Sequence, residues 1–119
     1  MINYQAVDAD GVRAEWVEAV AAALGQPTII LFYDPSASTD ETVRMAAGEL
    51  AVSTGARVLT VECMSVRDGV TAYAWLLGEG SDPPTTSFTG ESADSSLPAA
   101  VRRGVQARGL PEPSPGPPT

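Results

Sequence analysis

The hexapeptide Thr28-Ile29-Ile30-Leu31-Phe32-Tyr33 constrains this chain more than any other stretch. It is a continuous apolar run, bounded by Pro27 on one side and Asp34-Pro35 on the other. A run without polar alternation has no solvent face, so it reads as a central strand buried on both sides. Such a strand needs a layer above the sheet and a layer below it.

The segments that follow supply those layers. Ser36-Ala37-Ser38-Thr39-Asp40-Glu41 offers the hydroxyl and acidic groups of a helix start. Val43, Ala46, Ala47, Leu50 and Ala51 then give one apolar helix face that ends near Thr54-Gly55. Arg57–Glu62 reads as a second strand, and Val70 to Leu77 as a helix with Tyr73, Leu76 and Leu77 inward. After a turn cluster from Gly78 to Pro84, Thr85 to Thr89 reads as a third strand. A last helix runs from Ser95 or Leu97 to Ala107, with Gly109 as its cap. Strands alternating with helices give right-handed βαβ units. The expected fold class is therefore α/β, three-layered, with a small, mainly parallel sheet of about three to four strands.

The flanks are less determined. Residues 1–10 are polar and are expected as a flexible lead-in, with 11–110 as a single α/β domain. From Pro111 onward the proline-rich residues 111–119 make neither helix nor ladder and are expected as a disordered tail. Gly11–Gly25 admits two readings. Val12, Trp16, Val20 and Ala23 or Leu24 fall at helical spacing, with Gly25 placed as a C-cap, so periodicity favours a helix. Weak alternation from Val12 to Val17 allows an outer strand instead.

Composition excludes several functions. The net charge of −8, with seven cations that are all arginine, leaves no basic patch for nucleic acid or an anionic membrane. The apolar run at Thr28–Tyr33 is far too short to span a bilayer. One cysteine, Cys63, builds neither an internal disulfide nor a metal site by itself. Met1 to Gln5 lacks a signal-peptide pattern, and a cytoplasmic location is expected. No metal and no cofactor are expected. The chain contains no histidine, which removes the usual general base at neutral pH.

The stretch Phe88-Thr89-Gly90-Glu91-Ser92-Ala93-Asp94 carries the one chemical motif. A strand, a sharp turn through Gly90-Glu91-Ser92-Ala93 and a helix make the layout of a nucleophile elbow, which exposes a serine hydroxyl. The usual pattern is Gly-x-Ser-x-Gly, and here Asp94 stands at the last position.

Taken together, residues 11–113 resemble the N-terminal half of the hormone-sensitive-lipase-like branch of the α/β-hydrolase family, the bacterial esterases and lipases. Gly11-Val12-Arg13-Ala14-Glu15-Trp16-Val17 is similar to the stretch before that family's oxyanion strand. Thr54 to Glu62 resembles its fourth strand. Ala72 to Leu77 and Gly80-Ser81-Asp82-Pro83 resemble the helix and turn leading to its serine. Gly90-Glu91-Ser92-Ala93 aligns with Gly-Asp-Ser-Ala, and Arg108-Gly109-Leu110-Pro111 with the end of the helix behind it. The resemblance implies a strand at Gly11–Val17, against the periodicity, and that point stays open here.

The departures fall on the chemistry. Serine acyl transfer needs a base, an acid that orients it and donors for the oxyanion. Where the resemblance implies a His-Gly-Gly-Gly oxyanion segment, this chain has Asp34-Pro35-Ser36-Ala37. Pro35 has no N–H to donate, and Asp34 repels developing negative charge. The family's acid and histidine follow its serine, and neither is matched here. Ser92 is accordingly read as a vestigial nucleophile with a helix-capping role, Asp94 as a second cap and Glu91 as a solvated side chain. Cys63 is read as a small filler, Trp16 and Trp75 as packing residues, and Asp40 and Glu41 as helix-start charge.

The expected function is a degenerate, truncated esterase-like homologue without a complete triad, acting in binding or assembly. A homodimer or heteromer is expected through the edge of strand Thr85–Thr89. One alternative is a carboxylesterase in which a partner chain supplies the histidine and the acid to Ser92. A second is a thioredoxin-like scaffold without redox cysteines, in which Gly11–Gly25 would be the N-terminal helix.

Overall fold

The structure, a computed structural model, describes residues 2–19, 26–92 and 95–114. Five strands and three helices follow one another as β1 (Ile2–Ala9), β2 (Val12–Ala19), β3 (Thr28–Tyr33), α1 (Asp40–Thr54), β4 (Arg57–Glu62), α2 (Val66–Gly78), β5 (Thr86–Gly90) and α3 (Leu97–Ala107). The sheet order is β1-β2-β4-β3-β5. β4, β3 and β5 run parallel, whereas β1–β2 and β2–β4 are antiparallel pairs. The sheet is thus larger than the three to four strands expected, and mixed where a mainly parallel one was expected.

All six residues of β3 are buried, as a strand at the centre of three layers requires. Its odd-numbered side chains, Ile29, Leu31 and Tyr33, pack with Val17, Val58, Val43, Ala47 and Ala51 under α1. Its even-numbered ones, Ile30 and Phe32, face α2 and α3 with Leu59, Val61, Tyr73, Phe88 and Val101. Phe88 sits edge-on to both Phe32 (4.9 Å) and Tyr73 (5.1 Å), a favoured aromatic geometry. On that face α2 and α3 interlock: Cβ atoms added at Gly69 and Gly104 would lie 2.5 Å from Val101 and 2.6 Å from Val70, so each helix leaves a gap that a valine of the other fills. Trp16 and Trp75 are half-buried against the same core, and the Arg57 guanidinium stacks 3.8 Å from the Trp16 ring centroid.

Helix α1 begins and ends where its sequence says. Thr39 caps it by accepting the Thr42 N–H (3.2 Å), and Gly55 closes it in the left-handed conformation. Asp40, in the first turn, pairs with Arg13 (3.3 Å).

Four expectations are corrected. The polar lead-in is strand β1, because Asp10 and Gly11 form a two-residue hairpin with φ of 58° and 93° that sets Ala9 opposite Val12. Aspartate-glycine suits such a turn, where both positions need positive φ. The helix favoured by periodicity over Gly11–Gly25 is strand β2 through Ala19; residues 20–25 lie outside the described residues. Val12, Ala14 and Val17 are buried in the sheet, and pairing on both sides overrides a weak helical pattern. Without that N-terminal helix the thioredoxin-like alternative falls. The third strand is Thr86–Gly90, since Pro83–Thr85 form a 3-10 turn, and residues 111–114 of the expected disordered tail are packed on the molecule. Tyr73 donates its hydroxyl to the Pro111 carbonyl, and Arg102 donates to the carbonyls of Pro113 (3.3 Å) and Ser114 (2.6 Å). Residues 115–119 lie outside the described residues.

Candidate functional site

The C-terminal ends of the parallel strands β3, β4 and β5 form one crest, the side of an open α/β sheet where ligands usually bind. Asp34 follows β3, Cys63 follows β4 and Glu91-Ser92 follows β5.

The turn that carries Ser92 is tight. A Cβ on Gly90 would lie 2.5 Å from the Ser95 Cβ and 2.7 Å from its Oγ, so only glycine lets the strand leave so close to the incoming helix. Ser95 N–H donates to the Ser92 carbonyl (3.2 Å), which closes the turn. Ser92 itself is exposed. It lines a shallow groove of about 360 Å³ between α1 and the β3–β5 side of the sheet, together with Leu31, Glu49, Leu50, Thr89 and Glu91. Its expected capping role is not what the structure has. Helix α3 starts only at Leu97, whose N–H is held by Ser95 Oγ (3.4 Å), and Ser92 Oγ caps nothing among the described residues. Ala93 and Asp94, the rest of the elbow and the second expected cap, lie outside the described residues.

The segment Asp34-Pro35-Ser36-Ala37 is a self-contained turn. Asp34 Oδ1 accepts from the N–H (2.9 Å) and the hydroxyl (2.7 Å) of Ser36. The Asp34 main-chain carbonyl accepts from the N–H groups of Ala37 (3.0 Å) and Ser38 (3.1 Å). Pro35 has no N–H, so every main-chain N–H from residue 35 to 38 is absent or engaged. The Ser36 hydrogen bonds hold the Asp34 carboxyl below the ordinary aspartate range, so the turn stays negative.

The rest of the crest is acidic too. The Cys63 thiol is pushed up to about 12, first by burial and then by the carboxylates of Asp68, Glu91 and Asp34. It is a protonated, buried core residue, as its filler role anticipates. Glu91 differs from the solvated side chain expected: it is half-buried, and its Oε2 is shielded from solvent with no hydrogen-bond partner among the described residues. Sequence reasoning had no signal for this, because the burial comes from packing after the chain has folded. The described residues include no cluster of three or more His, Cys, Asp or Glu that would hold a metal ion. No helix among them is long and apolar enough to cross a membrane.

Chemically, the crest holds an accessible hydroxyl in a tight turn, on a groove that Glu49 and Glu91 also line, with no imidazole in the chain. Ser92 has the place of a serine nucleophile, at the turn between a parallel strand and the helix that follows.

No family model and no curated protein matches the sequence. Solved structures do. An esterase/lipase from an uncultured bacterium is 31% identical with a TM-score of 0.80, over 94% of this chain and 42% of that one. An esterase from the bacterial hormone-sensitive lipase family is 28% identical with a TM-score of 0.82, over 94% and 41%. A hormone-sensitive lipase from a metagenome library, 22% identical with a TM-score of 0.81, shares the fold. The chain therefore spans about two fifths of the length of these proteins. In fold and in sequence, the chain matches about two fifths of the length of bacterial esterases and lipases of the hormone-sensitive-lipase family, consistent with the N-terminal part of an α/β-hydrolase fold.

Proposed function

We propose that this chain is a degenerate esterase-like homologue that does not hydrolyse esters by itself and acts in binding or assembly. The observation that carries this reading is the Asp34–Ser38 turn, whose N–H groups are already engaged with Asp34. An oxyanion formed at Ser92 would find no free N–H donor in this turn, and loss of a single donor costs on the order of 10²- to 10³-fold in rate. The absence of histidine from these residues points the same way. The surface offered for association is the edge of β5, which pairs with β3 alone among the strands, in a homodimer or a heteromer.

Hydrolysis of p-nitrophenyl butyrate tests the reading. The expected rate equals that of Ser92→Ala, with no stoichiometric labelling of Ser92 by a fluorophosphonate. Turnover that disappears in Ser92→Ala would sink the non-catalytic assignment.

One observation favours a second reading. Ser92 remains exposed on a groove, and Gly90 still fits the tight turn. A partner chain bringing a histidine and an acid to this groove would make a split esterase. Ester hydrolysis that appears only with such a partner, and requires Ser92, supports that reading over the first.

A further inference from the structure

The edge of β5 is not bare along its whole length. Ser114 N–H donates to the Thr86 carbonyl (2.7 Å), so that carbonyl points away from β3. Backbone groups alternate sides along a strand. Thr86, Phe88 and Gly90 therefore present their N–H and C=O groups outward, while Ser87 and Thr89 face β3. The first outward carbonyl is engaged by Ser114, and the Thr86 N–H by the Pro83 carbonyl. The outward groups of Phe88 form no backbone hydrogen bond outside the sheet among the described residues.

Residues 111–114 are held there from several directions. Tyr73 Oη donates to the Pro111 carbonyl, and Gln106 Nε2 to Glu112 Oε1 (2.7 Å). Arg102 binds the Pro113 and Ser114 carbonyls, and its guanidinium lies 5.7 Å from the Phe88 ring centroid. Pro113 is buried. The segment is thus seated beside β5 by donors on α2 and α3. Prolines at 111 and 113 also deny the segment the N–H groups of a true sixth strand.

We infer that residues 111–114 form a displaceable strap that competes with a second copy of this chain for the β5 edge. The inference rests on the reading of that edge as a contact surface. Self-pairing suits β5 because Thr86-Ser87-Phe88-Thr89-Gly90 contains no charge. Antiparallel pairing of two such strands about Phe88 opposes no like charges within the ladder, and it satisfies the outward groups of Phe88 in both copies. Covering an edge with a loop is a common protection against such pairing.

The test is Ser114→Pro in the full chain, which deletes the one N–H donated to Thr86. Tyr73→Phe, which removes only the hydroxyl on Pro111, loosens the strap at its other end without altering the edge. Sedimentation velocity over a concentration series gives self-association, and hydrogen exchange of the Phe88 amide reports the edge. The expected result is dimerisation at a concentration at least tenfold lower in either variant. The Phe88 amide, which has no backbone partner outside the sheet in the monomer, should become protected as the dimer forms. Equal association of wild type and variants, with Phe88 protected in both, overturns the strap and leaves the edge reading intact. No association of either variant at any concentration overturns the strap as a competitor and the edge reading with it.

Discussion

Asp34→Ala separates two contributions that a single carboxylate makes to its turn. The substitution removes both hydrogen bonds to Ser36 and the local negative charge. It leaves the N–H groups of Ala37 and Ser38 on the main-chain carbonyl of residue 34. The expected outcome is a small loss of stability, read as a slightly lower urea midpoint, with no gain of ester hydrolysis. Three buried groups give the molecule a second residue-level property. Cys63, Tyr33 and Tyr73 are each pushed up to about 12 by burial, from ordinary values of 9.0 for the thiol and 10.0 for the phenols. A group that holds its proton more tightly when folded adds stability that is complete below its unfolded pKa and is lost as pH rises towards the folded value. Urea midpoints should therefore be flat from about pH 7 to 8.5 and fall steadily from about pH 9 upward. A midpoint that holds through pH 11 would contradict the burial of these three groups. At this scale the sequence was only partly readable: Gly90 and Ser92 stand out in a motif, whereas the shielded oxygen of Glu91 depends on neighbours that no local pattern names.

Among the elements, those with one dominant local signal are the ones legible in the sequence. β3 is apolar throughout, and α1 has Thr39 and Gly55 at its two ends, so both boundaries agree with the structure. β2 has no such signal. Its alternation is weak, and its strand state comes from pairing with β1 on one side and β4 on the other. The Asp10-Gly11 pair was the available clue to the hairpin. A β-branched residue at Gly11 must adopt φ near 93°, where its side chain is strained. Gly11→Val is expected to cost about 1–3 kcal/mol and to raise amide exchange in β1 and β2 before it reaches β3. Uniform exchange across the sheet would show that the hairpin is not a separable element. The packed residues 111–114 were illegible for a different reason. Prolines supply no ladder donors, but their carbonyls still accept, and the donors Tyr73 and Arg102 come from helices distant in sequence.

For the whole molecule, the two sheet faces are covered unequally. Among the described residues, α2 and α3 lie on one face, and α1 alone lies on the other, over β2 and β4. The groove beside Ser92 is the uncovered part of that second face on the β5 side. Net charge acts at this scale as well. Each copy carries −8, so edge pairing through an uncharged strand works against long-range repulsion. Screening should relieve it: dimerisation of Ser114→Pro is expected to strengthen several-fold between roughly 20 and 300 mM salt. Weakening with salt would mean that ion pairs, and not the β5 backbone, hold the dimer.

The sheet order also has a consequence in time. β3, α1 and β4 are consecutive and meet locally, whereas β5 reaches β3 only across the intervening β4 and α2. Contacts distant in sequence carry the larger loop-closure cost and tend to form late. The strand bearing Ser92 should dock on an already formed β3–β4 pair, and residues 111–114 can settle only after α2, α3 and β5 provide their seat. During refolding, then, the far side of β3 and afterwards the edge of β5 are each briefly without a neighbour. Recovery of native protein from denaturant should fall as chain concentration rises, even where the finished molecule stays dispersed.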